Sequence, residues 1–221
     1  MLRLTQRTLH AIFKPMKRTE TEAALLAELK QRITAHGHAV VAIDGNAASG
    51  KTTLAAQIAE HFAPQCSVNV FHMDDFFPRL EQRTEERLSQ PGENVDHERF
   101  WEEVLLPLRD GRPVITYRPY LCAQQQLGQP VTVEAGRIAI VEGSYACHPS
   151  LWQHYDLRIF LSVEPDEQMR RIQKRNGPEK AVQFAQRWIP FEEMYFRAFR
   201  VQERCDIRLE GSSENRKTNQ N

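Results

Sequence analysis

The chain has no run of about 18 apolar residues, so no segment reads as a bilayer-spanning helix. It has no excess charge of either sign. Its 29 Lys and Arg balance 29 Asp and Glu, which gives no bulk electrostatic pull toward nucleic acid or an anionic membrane. Cysteine is sparse: Cys66, Cys122, Cys147 and Cys205 are scattered, with no C-x-x-C pair. That spacing suits free thiols in a reducing compartment better than a disulfide framework or a zinc site, so a cytoplasmic protein is expected. The first 18 residues carry Arg3, Arg7, Lys14, Lys17 and Arg18 but no acid, and lack the apolar stretch of a secretory signal. They weakly resemble an organelle transit peptide; the plainer expectation is a basic, partly ordered extension. There is no internal repeat and no linker that would separate two domains.

What is there suits one globular domain: 221 residues, 41% hydrophobic and 26% charged, enough to bury a core. The expected division is an N-terminal extension and helix over 1–37, a main domain over 38–211, and a polar, frayed tail over 212–221.

The most informative segment is Gly45-Asn46-Ala47-Ala48-Ser49-Gly50-Lys51-Thr52, which spells G-x-x-x-x-G-K-[ST] without a mismatch. That spacing builds a phosphate cradle, the P-loop: two glycines turn the backbone so that successive N–H groups converge on phosphate oxygens. Lys51 reaches the β- and γ-phosphates, and the Thr52 hydroxyl is placed to ligate Mg²⁺. Context supports it. Upstream, 39–43 is an apolar run of strand length. Downstream, Leu54, Ile58 and Phe62 form an i, i+4, i+8 stripe on a predicted helix.

Elsewhere, 20–36 reads as a helix stopped by Gly37, and 67–73 as a strand. A helix is expected over 96–109, short strands over 114–117 and 131–133 around a Gln-rich connection, and buried strands over 137–141 and 157–163. Helices follow over 165–175 and from Trp188 to Arg200, then a last short strand at 207–209. Strands alternating with helices predict a three-layer α/β fold with a mostly parallel central sheet, and the P-loop makes it of the P-loop NTPase type.

Ligands of such sheets sit beyond the carboxyl ends of the strands. Asp74-Asp75 and Glu142 both follow strand ends there. Glu142 suits a metal-shell carboxylate shared with Thr52, and Asp74 a general base for an attacking hydroxyl, a role Asp75 could take instead. As bland alternatives, Glu142 is a solvated loop residue and the aspartates are helix caps.

These pieces together resemble the uridine kinase and phosphoribulokinase family of P-loop kinases. The matching segments are Asp44–Thr53, His72-Met73-Asp74-Asp75-Phe76-Phe77, Asn94-Val95-Asp96-His97 and Val141-Glu142-Gly143-Ser144-Tyr145. After them come 170–175, and Phe191-Glu192-Glu193 leading to Cys205-Asp206-Ile207. They run in family order over residues 38–211. The resemblance implies transfer of the γ-phosphoryl group of Mg-ATP, with GTP as an alternative donor, to a primary hydroxyl, first of all the 5′-OH of a nucleoside such as uridine or cytidine. It places the catalytic base at Asp74 and a ribose-gripping carboxylate at Asp96. It places aromatics near the acceptor at Phe77 and Tyr120, and the phosphate-covering arginines of a helical lid among Arg170, Arg171, Lys174 and Arg175. Arg171 and Arg175 join Lys51 and Asp74 as the expected catalytic set, and Gly45–Thr53 as the expected nucleotide cradle. From the residues alone, Asp96 reads equally as the N-cap of the next helix, Phe77 and Tyr120 as core, and the basic cluster as a solvated helix face.

The sequence departs from the family where the acceptor is read. Glu167 stands where uridine kinases carry an arginine, and Tyr120-Leu121-Cys122 replaces Tyr-Asp-Phe. No histidine follows in 123–129, and Asn176–Lys180 replaces an arginine-richer lid segment. An altered acceptor pocket would leave that signature, so pantothenate-like alcohols, nicotinamide riboside and sugars stay open as acceptors. A non-kinase P-loop NTPase and a degenerate kinase are the competing classes; N-K-x-D, which reads guanine in GTPases, is absent, and retention of Lys51, Thr52, Asp74 and Glu142 argues against decay. The expected partner is a small hydroxyl compound, with homo-oligomer assembly left open.

Overall fold

The computed structural model describes residues 22–211; the basic segment 1–18 and the tail 212–221 lie outside the described residues. The predicted buried strands assemble into one sheet because each has apolar side chains for both faces. β1 (Ala39–Gly45) is buried at all seven positions. It pairs in parallel with β7 (Ile138–Glu142) on one side and β8 (Leu157–Ser162) on the other. β2 (Val68–His72) adds outside β7, and β9 (Ile207–Glu210) outside β8, giving the all-parallel order β2-β7-β1-β8-β9.

Helices cover both faces. α1 (Glu22–His36) and α2 (Lys51–Phe62) bury Leu25, Leu29, Leu54, Ile58 and Phe62 against Val41, Ile43, Ile140 and Ile159. On the opposite face Phe100, Val104, Tyr195 and Val201 pack on Val40, Phe71, Val141 and Phe160. A short α3 (Glu85–Leu88) precedes α4 (His97–Phe100), which continues through a π-helical turn, Trp101–Leu105, into α5 (Leu106–Arg109). After β8 come α6 (Pro165–Asn176), α7 (Pro178–Gln183), a second π-turn Phe184–Trp188, α8 (Ile189–Phe199) and α9 (Val201–Arg204). Among the described residues no helix is long and apolar enough to cross a membrane.

Two local outcomes differ from the sequence expectation. The continuous helix expected over 96–109 is interrupted by the π-turn, and a second π-turn precedes α8. Each π-turn stands just ahead of a proline, Pro107 and Pro190. A proline has no N–H for the carbonyl four residues back and crowds it, so a widened turn relieves the mismatch. The Gln-rich connection is itself ordered: β3 (Val114–Tyr117) pairs antiparallel with β6 (Val131–Glu134), and β4 (Tyr120–Leu121) with β5 (Gln126–Leu127) between them.

Candidate functional site

The chain leaves β1 through Asp44-Gly45 and enters α2 at Lys51, so the loop 45–50 sits at the carboxyl edge of the sheet, against the amino end of a helix. Gly45 has φ +139°, and a Cβ there would lie 2.0 Å from the Leu161 carbonyl oxygen, so only glycine fits. Gly50 caps α2 in the left-handed region at φ +108°. Lys51 folds back over the loop and donates to the carbonyls of Gly45 at 2.7 Å and Asn46 at 2.9 Å. Ser49 Oγ is buried with no protein partner. A phosphate oxygen in the cradle would offer acceptors to that hydroxyl and to the α2 N–H groups, so the residues fit an anionic ligand.

Two buried carboxylates brace the loop from behind. Asp44 Oδ1 accepts from Gly45 N–H at 2.7 Å, and its Oδ2 accepts from Cys147 N–H at 2.9 Å and from the Tyr195 hydroxyl at 2.8 Å. Glu192, from α8, accepts from Ala47 N–H at 2.9 Å and from the Ser144 hydroxyl. Burial pushes both carboxyls above their ordinary pKa, with Cys147 N–H and Lys51 respectively the largest opposing influence. The sequence reading assigned neither a role. The sole available signal was position: Asp44 abuts the P-loop, and Glu192 falls in a segment matched by resemblance.

At the end of β7, Glu142 Oε1 accepts from the Thr52 hydroxyl at 3.1 Å and meets His72 Nδ1 at 2.5 Å. That hydrogen bond raises the His72 pKa despite partial burial. The paired hydroxyl and carboxylate form an all-oxygen donor set of the kind Mg²⁺ takes. Asp74 follows β2 in a one-turn 3₁₀ helix, Met73–Phe76, which points it into the same cleft. Surrounding protein raises the Asp74 pKa, Lys51 opposes that, and the Glu142 charge adds to it. Asp75 is half-buried and Asp74 more exposed, and Arg99 donates to the Asp75 carbonyl at 3.2 Å.

α6 supplies the third wall. Arg170, Arg171, Lys174 and Arg175 all line the cleft, whose volume is about 960 Å³. Glu167, the departure noted in the sequence, accepts from Arg170 at 2.7 and 2.8 Å and from Arg171 at 2.7 Å. Those arginines, Arg170 foremost, pull the Glu167 pKa down to about 2. Arg171 also donates to the P-loop carbonyls of Ala48 at 3.1 Å and Ser49 at 3.2 Å, joining this helix to the cradle.

Of the expected acceptor residues, Phe77 lines the cleft with Asp74. Asp96 and Tyr120 stand apart from it. Asp96 is 1% exposed, caps α4 by accepting from Arg99 N–H at 3.2 Å, and pairs with the Arg99 side chain at 3.2 Å. Tyr120 is buried under Arg83, whose guanidinium lies 5.0 Å from the ring centre, and its hydroxyl has no protein partner. Phe184 and Trp188 line the cleft although nothing in their sequence context distinguished them.

Comparison with protein-family profiles and with curated proteins finds no match. Solved structures do match. A possible uridine kinase from Bacillus stearothermophilus superposes with a TM-score of 0.60 at 21% identity, covering 84% of this chain and 98% of that one. A candidate fructose transport system kinase from Silicibacter sp. TM1040 gives 0.58 at 20%, covering 80% and 94%. D-glycerate 3-kinase from Cryptococcus neoformans gives 0.55 at 13%, covering 78% and 87%. At these identities the likeness concerns architecture: the chain has the α/β fold of the P-loop kinases.

Proposed function

We propose that this protein is an ATP-dependent kinase of a small hydroxyl compound, with the 5′-OH of a nucleoside as the first candidate acceptor. The observation that carries the reading is the convergence, in one cleft, of the cradle 45–52, the Thr52–Glu142 pair, Asp74 and the basic face of α6. In this reading residues 38–211 form the kinase domain. The loop N–H groups and Lys51 bind the nucleotide phosphates, and Lys51 must first leave the Gly45 and Asn46 carbonyls. Thr52 and Glu142 would hold Mg²⁺, which when bound neutralises phosphate charge.

Asp74 accepts the proton of the acceptor hydroxyl as its oxygen bonds to the γ-phosphorus and the bond to the ADP oxygen breaks. Its raised pKa makes it a better base than an ordinary carboxylate. Asp74 is favoured over Asp75 because it lines the cleft with Lys51 and Glu142. Arg171 and Arg175 stabilise charge on the transferring group, and Phe77 bounds the acceptor.

A second reading, a sugar or sugar-acid acceptor, is favoured by one observation. The carboxylate expected to grip ribose, Asp96, is committed to Arg99 and to capping α4. The fold likeness to sugar- and glycerate-type kinases is compatible with it. An ADP-release assay with Mg-ATP against uridine, cytidine, other nucleosides, pantothenate, nicotinamide riboside, fructose and glycerate tests both, with Asp74→Asn as control. Turnover with a nucleoside that the control abolishes supports the first reading; turnover with only another acceptor moves the acceptor class. ATP binding with no turnover on any acceptor would sink the kinase reading.

A further inference from the structure

A cluster outside the phosphate cleft has a geometry that phosphoryl transfer does not use. The segment entering α4, its first residue and the segment after β7 meet at Glu93, His97 and His148. His97 Nε2 lies 3.2 Å from Glu93 Oε1, and His148 Nε2 lies 3.9 Å from the same oxygen. One ligand atom from each of the three side chains falls within 4.8 Å of the other two. Donors held about 2.0–2.1 Å from a tetrahedral metal are roughly 3.3 Å apart, a spacing the His97–Glu93 edge already has, so closure on an ion needs His148 to approach and the two rings to turn.

We propose that Glu93, His97 and His148 bind a borderline divalent cation of the zinc type, with a fourth position open to water. The donor set, two imidazoles and one carboxylate, suits such an ion better than Mg²⁺ or Ca²⁺, which prefer all-oxygen shells.

The surroundings are built for ligation. The Ser150 hydroxyl contacts Nδ1 of both rings, 3.0 Å from His97 and 2.7 Å from His148. With both Nδ1 atoms donating to that oxygen, both Nε2 lone pairs face Glu93, the orienting arrangement that metal-bound histidines require. The Ser150 N–H, at 3.3 Å from His148 Nδ1, is the longer and weaker alternative. Arg87 takes the other Glu93 oxygen at 3.2 Å and so turns Oε1 toward the rings. Its charge is offset by Glu98, 3.7 Å from His97 Nε2. The rings stack at 4.0 Å between centroids, 13° from parallel, so their in-plane Nε2 lone pairs run side by side and ring rotation must bring them onto one ion; Gly92 keeps the space beside His148 open, since a Cβ there would lie 2.9 Å from His148 Cδ2 and 3.1 Å from its Nε2.

The ion would be a clip. Glu93 and His97 bracket Asn94 and Val95, and His148 follows Ser144 and Tyr145; all four bracketed or preceding residues line the cleft. Binding would therefore tie together two walls of the acceptor side. The inference does not depend on which molecule is phosphorylated, or on whether any is.

The test is titration of the full chain, without nucleotide, with Co²⁺ followed by Zn²⁺ displacement. One equivalent of Co²⁺ should give the intense visible spectrum of a tetrahedral site, without a sulfur charge-transfer band, and Zn²⁺ should abolish it. Ser150→Ala should weaken Zn²⁺ binding about 10- to 100-fold, and His97→Gln by more. His97 is the ligand to change because its ring is nearer the surface than that of His148; circular dichroism checks that the variant folds. Glu142→Gln, in the phosphate cleft, should leave the spectrum unchanged. A weak octahedral spectrum, a sulfur band, or a tetrahedral signal that survives His97→Gln would each overturn the proposal.

Discussion

The brace behind the P-loop makes a prediction in which two substitutions at one position differ sharply in what they cost the fold. Glu192 is 5% exposed, accepts from Ala47 N–H and from the Ser144 hydroxyl, and has a pKa raised chiefly by burial. A carboxyl with a folded pKa above its unfolded value binds more protons when folded, so it disfavours folding at neutral pH and the penalty fades as pH falls. Glu192→Gln removes that charge and keeps an acceptor for Ala47 and a polar group for Ser144. It should change stability by less than about 1 kcal/mol, or raise it. Glu192→Ala leaves a buried N–H without an acceptor, about 1–3 kcal/mol. It also gives up the Ser144 bond, about 1 kcal/mol, since that half-buried hydroxyl can turn to water. The expected loss is therefore roughly 2–4 kcal/mol.

Urea unfolding of the three proteins, with unchanged m-values, measures the difference. Because Ala47 belongs to the cradle, binding of an ATP analogue should weaken in Glu192→Ala and be kept in Glu192→Gln. If both variants lose stability equally, the charge matters more than the hydrogen bonds and the reasoning fails. If Glu192→Ala lies within about 0.5 kcal/mol of the parent, the brace does not exist.

Asp74→Asn should lower kcat about 10²- to 10⁴-fold while an ATP analogue still binds; unchanged turnover would transfer the role to Asp75. Since a base acts deprotonated and the Asp74 pKa is raised, the acid limb of kcat/KM should begin at higher pH than for an ordinary carboxylate, as a pH–rate profile would show. Glu167→Ala should loosen Arg170 and Arg171 and raise the KM for ATP more than it lowers kcat; an unchanged KM would mean that the arginines hold their places without it. The Glu167 pKa of about 2 lies below its unfolded value, so its contribution to stability is present above that value and lost as pH falls toward 2, a slope that Glu167→Gln should flatten in acid titration. Tyr195→Phe deletes one of three hydrogen bonds to buried Asp44 and should cost about 1.5–3 kcal/mol in urea unfolding, with little effect if the Asp44 carboxyl is protonated.

Some of this molecule was legible in the sequence because local pattern and tertiary role coincide. The P-loop is read from eight consecutive residues, since cradle, turn and helix entry are one local geometry. β1, β7 and β8 are read from apolar runs, since a parallel strand buried on both faces has no polar alternative. Asp74 and Glu142 could be singled out because strand ends in such a sheet share one edge. The π-turns were missed because periodicity sees an apolar stripe and not the shift in register that Pro107 and Pro190 impose.

The sequence by itself determined the architecture, the glycine-rich loop at the start of α2 and the kinds of group gathered at the sheet's edge. These follow from periodicity, strand-end position and one contiguous motif. Only the tertiary structure decided which distant partners those groups take. Glu192 reaches Ala47 across 145 residues of chain, Tyr195 reaches Asp44 across 151, and Glu167 turns on its own helix to hold two arginines. It also withdrew Asp96 into a cap and joined His148 to Glu93 and His97. The physical reason is that charge and hydrogen-bonding capacity are written residue by residue, whereas the desolvation that compels a polar group to find a partner exists only once the chain has packed.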